Sequence, residues 1–248
     1  MSTYVTTGFV LSARPWREGD RLYTLLTEAY GKIEAVAAGS KKISSKLAPH
    51  LAPFSEVEVM VARGKRLDRL ASANVRQMYL KPPYHLATMV LGSALLEVAD
   101  ALTRVGERDL RLTQLMRQSF SELTAMPQAE AEWRPAARWL LANYLVEFLK
   151  RTGLAITLTH CEGCRGELTE PVFFSWTSHG FFHQAHLPAG DTVVPLSAEV
   201  LTWLIKAATA GVSRAEPLPA TVLAFLADYV MGHAGRELYT IKVLRSIL

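Results

Sequence analysis

The chain has 248 residues, half of them hydrophobic and a fifth charged, with a net charge of +4. That composition supports a packed core and excludes disordered or low-complexity protein, while the apolar runs stop well short of a membrane span. The charge is uneven, because residues 1–81 hold thirteen Lys or Arg against seven Asp or Glu and the remainder holds fourteen against sixteen.

A basic excess gathered in one segment fits a polyanion partner, and it also fits a solvated surface with incidental lysines. In chain order, "YVTTGFVLSAR" (4–14) alternates with period two, placing Val5, Thr7, Phe9, Leu11 and Ala13 on one side of a strand. "RLYTLLT" (21–27) and "KIEAVAA" (32–38) follow, joined by "EAYG", whose Gly31 suits a tight hairpin turn. "EVEVMVA" (56–62) sets Glu56, Glu58 and Met60 against Val57, Val59 and Val61, as a half-exposed strand does, and a fifth strand is expected near 67–76. Five short strands in about 80 residues predict a small closed barrel of the OB or SH3 kind. Between the third and fourth strands lies "GSKKISSKLAPHLAPF", with Lys41, Lys42 and Lys46 and no acid between Glu34 and Glu56.

"KPPY" (81–84) punctuates the chain, and the period then changes to about 3.6. Leu86, Val90, Ala94, Val98 and Leu102 mark one helix, and Leu112, Leu115, Met116, Phe120 and Leu123 a second that ends near "MPQ". A third carries Ala137, Leu140, Leu141, Tyr144 and Phe148 and closes with Lys150, Arg151 and Gly153. Ser197 reads as the N-cap of "AEVLTWLIKAA", and a last helix is expected from about Pro219 to Met231.

Between these helices, "THCEGCRGELTEPVFFSWTSHGFFHQAHLP" (159–188) holds both cysteines and four of the seven histidines. Cys161 and Cys164 form C-x-x-C, and His183 and His186 form H-x-x-H. A thiolate pair and an imidazole pair can close a tetrahedral Zn²⁺ site, and the intervening residues leave room for a strand pair that includes "PVFFSW". Such a site is structural, since four protein ligands leave no position for a water or substrate. Two other readings remain open. C-x-x-C also serves redox proteins, and the thiols and histidines also fit a surface without metal. His160 and His179 are less well placed but are possible substitutes for one ligand. Two cysteines three apart make no disulfide framework, and a cytoplasmic protein fits them best. The start of the sequence lacks the charged, apolar and cleavable layout of a signal peptide.

No motif points to catalysis. There is no phosphate-cradling G-x-x-x-x-G-K-[ST] or G-x-G-x-x-G, no G-x-S-x-G elbow, no H-E-x-x-H and no zinc-deaminase signature. Glu18 and Asp20 sit in a strand-to-strand turn, where acids are usual. The expectation is a binding protein without enzymatic activity.

At "REGDRLYTLLTEAYGKIEAVAAGSKKISSKLAPHLAPFSEVEV" (17–59) the sequence resembles the RecO family of DNA repair and recombination proteins. That family carries an acidic turn, a T-L-L-T strand, G-K, and a basic loop ending in L-x-P-F. The resemblance extends through a helical middle and a Cys-bearing zinc module to "RELYTIKVLRSIL" (236–248). It implies an α+β protein: an N-terminal five-stranded OB-fold barrel over 1–80, a helical domain over 81–158, a zinc-ribbon-like module over 159–190, and the helical domain continued over 191–248. It further implies a non-catalytic recombination mediator, nucleoid-associated and with no membrane partner, holding one structural Zn²⁺. Such a protein binds single- and double-stranded DNA, anneals complementary strands, and works with RecR. It also contacts the acidic C-terminal tail of single-stranded-DNA-binding protein and helps load RecA. Two departures stand out. H-x-x-H occupies the place of a second C-x-x-C, and Ala38 stands where a basic residue is usual, which shifts phosphate contact onto Lys41, Lys42 and Lys46.

Backbone-charge candidates for DNA are Arg14, Arg17, Lys32, Lys41, Lys42, Lys46, Arg63, Lys65, Arg66 and Arg69. Trp16 is a candidate stacking platform; Tyr23 fits either a platform or the core. Arg104, Arg108, Arg111 and Arg117 are candidates for a cationic rim that receives an acidic tail, and they also fit a solvated helix face. The rival from another class is a protein-interaction adaptor built on an SH3-like barrel. A zinc-dependent redox or hydrolytic enzyme is the third reading, and it requires an open metal position.

Overall fold

A computed structural model describes residues 2–80, 85–127, 129–214 and 218–248, in two compact units. The first unit comprises Met1–Gln128 and Leu238–Ile247, and the second Ala129–Glu237 with Leu248. The "KPPY" punctuation and Gln128 lie outside the described residues.

Five strands open the first unit: β1 (Thr3–Pro15), β2 (Arg21–Thr27), β3 (Gly31–Ala37), β4 (Ser55–Ala62) and β5 (Asp68–Met78). They close a barrel in the order β1-β2-β3-β5-β4, antiparallel except where β3 meets β5, with Ala35 opposite Asp68 and Val36 opposite Arg69. The interior is filled by small and branched side chains, among them Val10, Leu25, Ile33, Ala35, Val57, Val59, Val61 and Leu70. On β4 the expected alternation holds, with the three valines inward. On β1 the stripe containing Phe9 and Leu11 lies on the opposite side from inward Val10. Phe9 and Leu11 are buried all the same, because helices cover that part of the outer face, whereas Val5 is 53% exposed and Ala13 is exposed. Phe9 stacks on Phe120 at a centroid distance of 5.7 Å and on Tyr79 at 5.9 Å. Gly31 adopts φ +63° in the β2–β3 hairpin, and a Cβ there would collide with the carbonyl of Glu107 at 1.9 Å. Only glycine satisfies both demands.

Two helices follow, α1 (Leu86–Leu102) and α2 (Leu110–Thr124). All five expected core residues of α2 are buried, and Asp109 caps it by accepting from the Arg111 N–H at 2.9 Å. On α1 the burial centres on Leu91, Leu95 and Val98 and leaves Leu86 74% exposed. The apolar stripe is wider than the one expected because α1 packs against β1 on one side and against a C-terminal helix on another. The sequence pattern predicts no helix in the C-terminal run, yet residues Tyr239–Ile247 form one, which inserts Ile241 and Leu244 into the first unit. Glu97 of α1 accepts from the Tyr239 N–H at 3.1 Å and the Thr240 N–H at 3.0 Å, placing a carboxylate at that helix's start.

The second unit contains α3 (Glu130–Arg151), a small sheet, α4 (Ala198–Ala210) and α5 (Ala220–Ala234); the C-terminal helix is α6. On α3 the expected stripe is fully buried, and Gly153 follows its end at φ +76°. Ser197 caps α4 by accepting from the Val200 N–H at 3.3 Å, as expected. The sheet has β6 (Val172–Ser175), β7 (Gly180–His183) and β8 (Val193–Pro195) in the order β7-β6-β8. Phe174 anchors it on α5 through edge contact with Phe225 at 5.4 Å and contact with Tyr229 at 5.6 Å.

Candidate nucleic-acid interface and metal centre

Both ends of the basic stretch are fixed by the barrel. Leu51 plugs the interior and Phe54 packs near Phe120, so the β3–β4 connection is tied down at its far end while residues 41–46 project. Its near end is stitched to the β1–β2 loop. The Lys41 N–H donates to the Gly19 carbonyl at 3.1 Å, and Lys41 Nζ donates to the Arg17 carbonyl at 2.7 Å. The Gly39 N–H donates to Asp20 Oδ1 at 2.8 Å, and Arg21 donates to the Ser40 carbonyl at 3.5 Å. Asp20 therefore acts as a staple between the two loops. The β4–β5 turn lies elsewhere: it follows Ala62, which pairs with Thr3 at the start of β1, and Arg63 covers the Tyr4 ring, itself 4.1 Å from Tyr30 of the β2–β3 turn, so residues 63–67 sit toward the other end of the barrel.

The basic side chains sort into engaged and available groups. Arg17, Lys41, Lys42, Lys46, Lys65, Arg66 and Arg69 are exposed. No carboxylate pairs with them among the described residues. Arg63 is exposed and its guanidinium lies 5.3 Å over the Tyr4 ring, while Arg14 pairs with Glu34 at 3.1 Å on the surface. Lys32 is a correction to the sequence reading. Its side chain is only 12% exposed, paired with Asp100 at 2.7 Å and donating to the Asp100 carbonyl at 2.6 Å, so it joins β3 to α1 instead of meeting phosphate. Tyr23 is buried in the barrel interior and is no platform, whereas Trp16 is 43% exposed in the β1–β2 loop.

The four arginines expected to form an acid-binding rim separate in the same way. Arg117 bridges Glu28 at 2.6 Å and the largely buried Glu56. Hydrogen bonding to Glu56, chiefly, holds its guanidinium above the ordinary value. Its charge is spent inside the unit, which removes it from that rim. Burial and the neighbouring Glu56 push the Tyr79 hydroxyl up to about 12. Arg111 is bidentate on Asp109. Arg104 and Arg108 are exposed on the α1–α2 connection, with Glu107 3.9 Å from Arg104 and the Glu28 carbonyl 3.2 Å from Arg108 Nε.

In the second unit, the C-x-x-C knuckle precedes the sheet, His183 ends β7, and His186 sits in the short turn after it. One ligand atom from each of Cys161, Cys164, His183 and His186 lies within 4.8 Å of the others. Cys161 Sγ is 3.8 Å from His186 Nδ1, and Cys164 Sγ is 3.6 Å from His183 Nδ1. Zinc bonds of ordinary length in a tetrahedron separate ligand atoms by about 3.3–3.8 Å, so the donor set fits that ion. Two details support the fit. His183 Nε2 lies 3.0 Å from the Glu167 carbonyl, an outer partner that aims Nδ1 inward. A Cβ on Gly163 would come within 2.6 Å of His186 Cβ, so glycine is what lets the knuckle approach. Burial alone would push the Cys161 thiol up. The backbone N–H groups of His183, Cys164 and Gly163, with the Cys164 thiol, outweigh it and bring it down to about 6, favouring the thiolate that binds metal. His160 and His179 stand apart, His160 against Arg165 and Thr159, and His179 against the His233 ring at 4.6 Å.

Fold and site together are a closed barrel with a stitched basic rim in one unit and a four-donor Cys/His cluster in the other. The family described as Recombination protein O N terminal matches residues 1–79, and Recombination protein O C terminal matches residues 84–239. The chain belongs to the RecO family of DNA repair and recombination proteins. Among similar proteins, the DNA repair protein RecO of Geobacter metallireducens is 28% identical over 250 residues, covering 100% of this chain and 99% of its own. The RecO of Bifidobacterium longum is 26% identical over 248 residues, covering 99% and 100%. The RecO of Synechococcus sp. (strain JA-3-3Ab) is 32% identical over 182 residues, covering 70% of this chain and 59% of that relative's length.

Proposed function

We propose that the chain is a non-catalytic recombination mediator that binds single- and double-stranded DNA on the basic rim and anneals complementary strands. The observation that carries this reading is the group of cations without carboxylate partners on loops 16–20 and 38–47, stitched together at one end of a closed barrel. The barrel's strand order and single parallel closure are those of an OB-fold, whose β1–β2 and β4–β5 loops are the usual binding elements. Here helices cover Leu22 and Leu26, so the outer β2 surface is closed and the loop rim is what remains accessible. Charge of this kind grips the sugar-phosphate chain without reading sequence.

Family membership supports the rest of the reading: cooperation with RecR, contact with the acidic tail of single-stranded-DNA-binding protein, and help in loading RecA onto coated strands. Of the four rim arginines, Arg104 and Arg108 are best placed for that tail. In the second unit one Zn²⁺ would be held by Cys161, Cys164, His183 and His186 in a zinc-ribbon-like module, bracing the knuckle and sheet. Four protein donors leave such an ion no open position for hydrolytic or redox chemistry. A cytoplasmic, nucleoid-associated protein fits this role; no helix among the described residues is long and apolar enough to cross a membrane.

The test is a fluorescence titration with labelled oligonucleotides across salt concentrations, joined to an annealing assay with and without coating protein. Replacing Lys41, Lys42 and Lys46 together by alanine is expected to weaken binding. The slope of log affinity against log salt should fall by about 0.7–0.9 for each phosphate that is no longer neutralised. Unchanged affinity and slope would remove the rim from the site.

A further inference from the structure

The basic rim also carries two apolar side chains that phosphate binding leaves unexplained. Ile43 is fully exposed, with Lys42 before it and Lys46 three residues after, and Trp16 is exposed on the adjoining loop. A single exposed apolar residue is ordinary. The placement of this one is not. The Ser45 N–H donates to the Lys42 carbonyl at 3.0 Å, which closes a turn over residues 42–45 with Ile43 at its second position. Turn chemistry favours proline or small polar residues there. A branched apolar side chain has instead been set at the tip, flanked by charge, while the same loop's other large apolar residues pack inward, Leu47 partly and Leu51 and Phe54 fully buried. Trp16 is held by the neighbouring loop, where its N–H donates to the Asp20 carbonyl at 3.1 Å and the Asp20 N–H to the Arg17 carbonyl at 3.2 Å. The hydrogen bonds from Lys41 to Gly19 and Arg17 tie the two loops together, so both side chains stand on one framework.

We infer that Trp16 and Ile43 contact nucleobases, and that this makes the rim select strands with unpaired bases over duplex. The inference rests on the reading of the rim as a DNA-binding surface. Indole offers a π-face on which a base stacks, and an aliphatic tip packs against a base plane or wedges between two. In a single strand those faces are available. In a duplex they are already stacked, and only phosphates remain for the lysines. The division of labour is then charge for any nucleic acid and apolar contact for the open strand. A lipid surface would also take a basic loop with apolar tips, but residues 41–47 are not helical and offer one exposed aliphatic side chain, well short of an amphipathic anchor.

The experiment compares three labelled ligands at one salt concentration: an oligothymidine, an abasic oligonucleotide of equal length, and a duplex. The proteins are the full chain, Ile43→Ser and Trp16→Ala. The full chain is expected to bind oligothymidine most tightly. Trp16→Ala should lower that affinity about tenfold and Ile43→Ser about threefold to tenfold, and both should leave abasic and duplex binding where they were. Both residues are exposed, so thermal unfolding should not move. Equal affinity of the full chain for oligothymidine and abasic strand overturns the base contact while the charged rim stands. Variants that weaken all three ligands alike also overturn it. Absence of binding to every ligand removes the rim itself and this inference with it. Sedimentation with anionic phosphatidylserine vesicles that Ile43→Ser abolishes, without loss on oligothymidine, assigns the tip to membranes instead.

Discussion

The basic rim and the Cys/His cluster are sites of opposite construction. In the cluster, four donors from two short motifs converge within 4.8 Å, and each donor is useless without the other three. In the rim, cations on two stitched loops are spread over one end of a barrel, and each works nearly alone. Convergent chemistry leaves a spacing in the sequence, since C-x-x-C and H-x-x-H are the two halves of one geometry. Dispersed charge leaves only a count, and a count does not say which cations are already paired.

The largest effect should come from breaking the convergent site. Cys161→Ser is expected to take bound zinc from one ion per chain to none, measured by metal analysis, and to lower the unfolding midpoint of the second unit. Structural zinc contributes about 10–16 kcal/mol in small finger peptides. Less is expected here, because Phe174, Phe225 and Tyr229 also hold the sheet. Replacing both His183 and His186 by cysteine should keep the ion, whereas substituting His160 or His179 should not alter its stoichiometry. Loss of zinc on changing His160 would mean that the ligand set has been misassigned.

Arg117→Ala comes next. It strands Glu56 and Glu28, and, because the guanidinium is about a third exposed, a cost of about 1–2 kcal/mol is expected. Chemical denaturation should register that cost while oligonucleotide affinity stays put. Lys32→Met should behave alike, with a cost of about 1 kcal/mol from leaving Asp100 without its cation and no change in the salt slope. A fall in DNA affinity for Lys32→Met, at unchanged stability, would return that lysine to the interface. The smallest effect belongs to Lys65→Gln with Arg66→Gln, where the slope should drop by less than for the Lys41, Lys42 and Lys46 variant and stability should not move.

Much of this organisation was legible from residue order. The five strands fell within two residues of their expected bounds, because period-two alternation and Gly31 leave little choice. The buried stripes of α2 and α3 were equally plain, as was the gathering of Cys161, Cys164, His183 and His186. Three features were hidden for physical reasons. Lys32 and Arg117 look like any surface cation until Asp100 and Glu56 are brought to them from 61 or more residues away. Tyr23 has the same composition signal whether it faces inward or outward. The helix α6 is only nine residues long, and its apolar side chains make sense only against α1. Ile43 could have been noticed as the one aliphatic residue between Ser40 and Lys46, but nothing in the sequence said that it stood at a turn tip.

The bond from Glu97 to the start of α6 spans 142 residues of chain, and the entire second unit save Leu248 lies between its two ends. On a ribosome, therefore, the barrel and its first two helices emerge early but must wait with one flank of α1 uncovered until α6 follows. Closing so long a loop is slow, and the flank of α1 that α6 covers stays open until then. Vectorial synthesis thus makes the order of completion run backwards: the half that is translated first is the half that finishes last.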